Sequence, residues 1–163
     1  MEKEFIPYEL AVALEELGFN EPCLLAYHLD FYVEDEKGTI TLEFYEDGVT
    51  NEQLHYITVE LNKGEKIIAE GYTNSYAAPT WHQAFKWIRD NFYLVCIVFN
   101  DDGDIEHENL RYNWEIRVVT RSFKDLKNQR NARLGEYTYR SYEEAELDCL
   151  KQMLKLLKTR KHE

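Results

Sequence analysis

The sequence predicts an α+β fold: an antiparallel β-sheet of about six or seven strands in hairpins, packed against three helices with the C-terminal helix central. Three observations carry it. Ser141 to Lys158 reads as a long helix with apolar residues on a broad arc. Two period-two runs, Leu25 to Val33 and Ile40 to Phe44, flank the turn signal Asp35-Glu36-Lys37-Gly38. A helical apolar stripe from Trp81 to Phe92 follows a capping signal at Thr80 and Gln83.

Pro7 opens the first helix and Gly18 closes it, with Leu10, Ala11, Leu14 and Leu17 on one side. Phe19 supplies the apolar contact expected just past a glycine stop. From Cys23 to Glu34 the chain turns to strand, with Leu25, Tyr27, Leu29, Phe31 and Val33 on one face. Thr39 to Glu46 alternates, with Ile40, Leu42 and Phe44 expected to face inward. Leu54 to Leu61 and Lys66 to Glu70 flank Asn62-Lys63-Gly64-Glu65 and predict a second hairpin. Tyr72 to Ala78 reads as a loop ending at Pro79.

Thr80 with Gln83 forms a capping box, each side chain reaching the other's backbone amide. The helix behind it carries Trp81, Ala84, Phe85, Ile88 and Phe92 on one stripe and leaves Trp87 off it. Tyr93 to Phe99 is apolar on both alternating sets, which predicts a central strand covered on both faces. Asn100 to Asp104 is a turn. Tyr112 to Thr120 sets Tyr112, Trp114, Ile116 and Val118 against Asn113, Glu115, Arg117 and Val119, a half-buried strand. Arg121 to Arg133 has no periodicity, and Glu136 to Arg140 is a short strand leading to the last helix. There Ser141 and Glu144 form another capping box. Ala145, Leu147, Cys149, Leu150, Met153, Leu154, Leu156 and Leu157 span an arc of roughly 200°, wider than a single edge contact requires.

A chain of 163 residues has room for one domain, expected to span 1–163. Tyr8 to Phe19 and Trp81 to Phe92 both run aromatic, then Ala three residues on, then Phe at the twelfth position. Two readings stay open: a shared helix-to-strand grammar, or a duplication covering about 6–75 and 79–160. No apolar run approaches a membrane span, and the N-terminus lacks the basic and apolar regions of a signal peptide, so a cytoplasmic location is expected. Cys23, Cys96 and Cys149 sit far apart in apolar runs without metal spacing, which predicts three reduced core thiols and no zinc.

The net charge of −12 is unevenly placed. Residues 1–60 hold fifteen acids and two bases, whereas residues 111–163 hold eight acids and thirteen bases. An acidic first half and a basic last third hint at partners, beside the plainer reading of a solvated acidic face.

The stretches IPYELAVALEELGFNEPC, APTWHQAFKWIRDNF and YRSYEEAELDCLKQMLKLLK together resemble a family of small, functionally uncharacterised proteins of Bacteroidota and their phages and prophages. The three motifs occur in the family's order and cover about a third of the chain, and they consist mainly of packing and capping residues. The resemblance implies a phage-linked accessory protein in the cytoplasm of a bacterial host, and it carries over no catalytic residue. The chain departs from the family pattern in its longer regions at 35–75 and 121–135.

No catalytic motif stands out. Asn100, Asp102, Asp104 and Glu106 offer alternating oxygens, but Gly103 is misplaced for a calcium loop and no bidentate glutamate closes it. His28, His55, His82, His107 and His162 make no HxxxH or HxH pattern. No phosphate-binding glycine pattern or nucleophile elbow is present. A non-enzyme without cofactors is therefore expected.

One segment is unusual: Arg121, Lys124, Lys127, Arg130 and Arg133 place a base at every third residue with a single acid between them. Such a segment suits an anionic partner, a nucleotide or nucleic acid, or else a contact with a protein or another copy. A solvated loop is the third reading. Two functions follow: binding of a host protein through the acidic first half, or binding of a small molecule, nucleotide or nucleic acid through the basic segment and the aromatics Tyr72, Tyr76 and Trp87.

Overall fold

Helix caps fix where the regular elements of this chain begin and end, and the computed structural model shows them residue by residue. It describes residues 4–32, 39–55, 71–100, 111–119, 133–134 and 139–161. The elements are α1 (Tyr8–Glu16), β1 (Cys23–Tyr32), β2 (Thr39–Val49), β3 (Gly71–Ala78), α2 (Trp81–Phe92), β4 (Leu94–Asn100), β5 (Tyr112–Val118) and α3 (Tyr142–Lys161). A helical turn at 51–55 and a two-residue rung, Arg133–Leu134, complete them. The fold is α+β with antiparallel sheets. Among the described residues there are two sheets instead of one, ordered β2-β1-β3 and β4-β5-rung. Strand pairing is a non-local choice that local alternation does not encode. The chain groups into two compact units, Met1–Ala84 and Phe85–Glu163, with the boundary inside α2.

In the first unit, Pro7 is the cap of α1 rather than its first residue, and its carbonyl accepts from the Leu10 and Ala11 amides. Gly18 ends the helix at φ 99°, where its amide reaches the Glu15 carbonyl and the Phe19 amide reaches Leu14. This paired arrangement satisfies two terminal carbonyls, and it needs a left-handed residue. Phe19 is buried, as expected of its position.

Two sequence expectations fail here. Tyr72 to Ala78 is strand, not loop: Tyr72, Tyr76 and Ala78 sit opposite Phe31, Tyr27 and Leu25 of β1. Its polar Thr73, Asn74 and Ser75 hide the alternation from a hydrophobic pattern. Leu54, expected to start a strand, lies buried in the helical turn at 51–55. Thr50 and Gln53 cap that turn reciprocally, the Thr50 amide donating to Gln53 Oε1 at 2.9 Å and the Gln53 amide to Thr50 Oγ1 at 3.2 Å. The rest of the expected second hairpin lies outside the described residues.

In the second unit, α3 packs on β4 and β5. Its buried residues are Ala145, Cys149, Leu150, Met153, Leu154 and Leu157, so the stripe is narrower than the sequence arc, with Leu147 and Leu156 half-buried at its margins. The Glu144 amide donates to Ser141 Oγ at 3.1 Å, while the Glu144 carboxylate accepts from the Arg140 amide, one residue earlier than a standard box. β4 is an edge strand among the described residues and is only half-buried beyond Leu94, not a doubly covered centre. β5 buries Trp114 and Ile116 as expected, and also Glu115, whose carboxylate meets Arg117 Nη2 at 2.7 Å. Of the expected strand at Glu136 to Arg140, Tyr139 makes a single bridge to Tyr112.

The cysteines also differ from expectation. Cys96 on β4 and Cys149 on α3 form a disulfide with Cα atoms 6.4 Å apart, and Cys23 is free and buried. The two partners are 53 residues apart in sequence, so only the packing of α3 on β4 brings them together.

Candidate functional site

The first sheet presents two chemically different faces, and its register assigns each side chain to one of them. Leu25, Tyr27 and Leu29 of β1 sit opposite Phe44, Leu42 and Ile40 of β2, and opposite Ala78, Tyr76 and Asn74 of β3. Residues directly opposite in an antiparallel pair share a face. Helix α1 packs on β3. From it Tyr8 places its ring edge-on against both Tyr27 and Tyr76, each with centroids 5.7 Å apart. The Tyr27 hydroxyl donates to the Ile6 carbonyl at 2.7 Å. That side of the face is closed.

The β2 side of the same face is open. Phe44 is 64% exposed, Ile40 45% and Leu42 39%, three large apolar side chains at alternate positions of a strand that is at the sheet's edge among the described residues. The sequence expectation that they face inward is corrected: they share the core-facing side of the sheet, but the short α1 covers only part of it. Periodicity tells which residues share a face and is silent on how far a helix reaches across it.

The opposite face carries a polar row across all three strands. Ser75 Oγ lies 2.8 Å from His28 Nδ1, and His28 Nε2 lies 3.1 Å from Glu43 Oε2. The Tyr45 hydroxyl donates to Glu43 Oε2 at 3.2 Å and sits 3.3 Å from His28 Nε2. One proton arrangement satisfies the row, with Ser75 donating to Nδ1 and Nε2–H donating to Glu43. Burial, then the charge of Glu43 and its hydrogen bond, push the Tyr45 hydroxyl up to about 12. A hydroxyl, an imidazole and a carboxylate in line resemble a nucleophile relay in composition. Here the imidazole is mostly buried and binds both outer strands to β1, so the row locks the sheet. No pattern in the sequence announced it, because its members come from three strands 47 residues apart at the extreme.

Buried polar groups elsewhere in the first unit are also satisfied. Asn51 Nδ2 donates to the Phe19 carbonyl and its Oδ1 accepts from the Ala77 amide, both at 2.7 Å. Among the described residues no buried side-chain nitrogen or oxygen lacks a partner, and no group of three His, Cys, Asp or Glu is placed to hold a metal.

Trp87, expected to be an exposed aromatic, is only 8% exposed and stacks edge-on to Phe92 at 5.3 Å. Tyr76 is half-buried under Tyr8, and Tyr72 lies two residues before Asn74 on the same strand. Arg133 contributes backbone pairing opposite Ile116. Arg121, Lys124, Lys127 and Arg130 lie outside the described residues, as do His107, His162 and the acidic turn after Asn100. His55 and His82 are exposed. Among the described residues no helix is long and apolar enough to cross a membrane.

Comparison of the chain with protein-family models, curated proteins and solved structures finds no match.

Proposed function

We propose that this protein is a non-enzymatic accessory protein of phage or mobile-element origin that acts by binding a protein of its bacterial host, as an inhibitor of a host or defence component. The observation that supports protein binding is the open stripe Ile40, Leu42 and Phe44 on the acidic half of the chain. A contiguous exposed apolar surface rimmed by polar groups is a common mark of a protein interface. The resemblance of the three packing motifs to phage-linked proteins supports the setting.

A competing reading gives the chain a nucleotide or nucleic-acid ligand held by Arg121, Lys124, Lys127, Arg130 and Arg133. The base at every third residue favours it. The net charge of −12 opposes unspecific binding to DNA, whose affinity rests on cations meeting phosphates.

Affinity capture from a Bacteroidota lysate, run in parallel with wild type and Phe44→Lys, separates the two. A stoichiometric protein retained by wild type and lost by the variant supports protein binding through this face. A co-purifying ultraviolet-absorbing ligand, held equally by both, supports the competing reading. Capture of no macromolecule by wild type overturns the proposal.

A further inference from the structure

We infer that the outer edge of β2 accepts an extended strand from a partner protein, one that alternates apolar residues with lysine or arginine, and adds it to the first sheet as a fourth strand. This inference rests on the protein-binding reading above and names the partner's chemistry.

Among the described residues β2 pairs with β1 alone and is an edge strand of the sheet. An edge strand turns a row of backbone donors and acceptors outward, and proteins that do not use such an edge blunt it with proline, lysine or brevity. β2 carries no proline or lysine in its 11 residues, TITLEFYEDGV, and pairs regularly with β1 from Thr39 to Phe44 before a bulge shifts the register. Its stripe Ile40, Leu42 and Phe44 recurs every second residue, the period at which an added strand points its own side chains to one face. Apolar residues at alternate positions of the incoming strand would extend the half-covered face that Leu25, Tyr27 and Leu29 already share with β2.

Charge selects the remaining positions. Glu43, 62% exposed, projects on the opposite face of β2, and the exposed Glu46 and Asp47 follow at its end. The first sixty residues hold fifteen acids and two bases. A second copy would bring the same acid excess to the edge, whereas a strand with cations between its apolar residues meets it with opposite charge.

Fluorescence anisotropy of the full chain with labelled peptides of the length of β2 tests this. The probes are an alternating Lys/Val peptide, an alternating Glu/Val peptide, and the Lys/Val peptide N-methylated at alternate residues. Wild type should bind the first, and the other two should bind about tenfold more weakly or not at all, because one loses charge complementarity and the other the edge hydrogen bonds. Ile40→Lys and Phe44→Lys should each weaken Lys/Val binding about tenfold. Both sites are exposed, so the circular dichroism spectra should be unchanged. Equal binding of the N-methylated or Glu/Val peptide, unaltered binding by both folded variants, or no binding by wild type overturns strand addition. So does a wild-type dimer that Phe44→Lys makes monomeric, since the occupant is then a second copy. If lysate capture still yields a Phe44-dependent protein while the peptides fail, strand addition falls and protein binding stands. If the peptides bind and the lysate yields no partner, the host-protein reading falls instead.

Discussion

The indole Nε1 of Trp114 donates to Asp148 Oδ2 at 2.9 Å, and the Tyr139 hydroxyl donates to the same oxygen at 2.6 Å. One carboxylate on α3 thus gathers β5 and the segment that leads into the helix. Hydrogen bonds to a charged acceptor are each worth about 1.5–3 kcal/mol, and loss of the acceptor strands two donors. Asp148→Ala should therefore lower stability by about 2–4 kcal/mol, and Asp148→Asn, which keeps an oxygen, by less. Urea titration followed by tryptophan fluorescence gives the comparison. Equal midpoints for wild type and Asp148→Ala would show that the carboxylate does not hold these elements together.

Asn51 plays the corresponding part in the first unit, tying the Phe19 carbonyl at the end of α1 to the Ala77 amide of β3. Asn51→Ala leaves both backbone groups without that partner at a buried site. The expected loss is about 2–6 kcal/mol, on the cost of one unsatisfied buried group counted for two. Asn51→Asp keeps the acceptor for Ala77 but sets a carboxylate oxygen against the Phe19 carbonyl at a buried site, so it too should fall below wild type. Thermal melts in which Asn51→Ala matches wild type would show that the bridge contributes nothing.

Leu150 is fully buried where α3 packs on its sheet. Truncation to alanine should cost about 2–5 kcal/mol, the transfer loss of the side chain plus the cavity it leaves. Leu147→Ala, at the half-buried margin, should cost markedly less. A denaturant series in which both variants lose the same stability would contradict the narrow stripe.

Much of the first and last helix was legible because their signals are local. Gly18 with Phe19 and Thr80 with Gln83 act as their spacing predicts, and Ser141 caps Glu144 as expected while the Glu144 carboxylate turns to the Arg140 amide. Thr50 with Gln53 carries the same signature, and the strand expected from Leu54 onward leaves it unused. The division into two sheets was not legible, since pairing joins residues far apart in sequence. Trp87 lies off the apolar stripe of its helix and is nevertheless buried, because helical periodicity does not show what packs beside the stripe. The open stripe on β2 is the clearest such limit, because the same alternation describes a covered strand and an exposed one.

Glu146 gives a pH dependence with a definite sign. Burial raises its pKa above the ordinary 4.5, Glu143 adds to the rise, and the Tyr142 hydrogen bond opposes it. A carboxyl raised in the folded state favours folding while protonated. Its contribution is complete below about pH 4.5 and fades as pH climbs through the raised folded value. Glu146→Gln removes the cost of keeping a charge there at neutral pH. Relative to wild type, the variant should gain stability between about pH 4 and about pH 7. A wild-type-minus-variant difference that stays flat over that range would rule out the shift as a determinant of stability.

The three cysteines make a direct count possible. Burial, and secondarily Glu21, push the Cys23 thiol up to about 12, so its nucleophilic thiolate is suppressed near neutral pH. Cys96 and Cys149 are joined, and their Cα separation of 6.4 Å suits a bridge without backbone movement. Protein incubated with glutathione disulfide and then alkylated in the folded state should take up no label. After denaturation without reductant a single thiol should react, and after denaturation with reductant all three cysteines. The bridge closes a loop of 53 residues in sequence separation, which the chain-entropy model values at roughly 4 kcal/mol. Cys149→Ser should therefore lower the urea midpoint and leave a variant whose stability no longer responds to reductant. Three labelled cysteines on denaturation without reductant would return the pair to the reduced state expected from the sequence, and the packing of α3 on β4 would then stand on Leu150 and its neighbours alone.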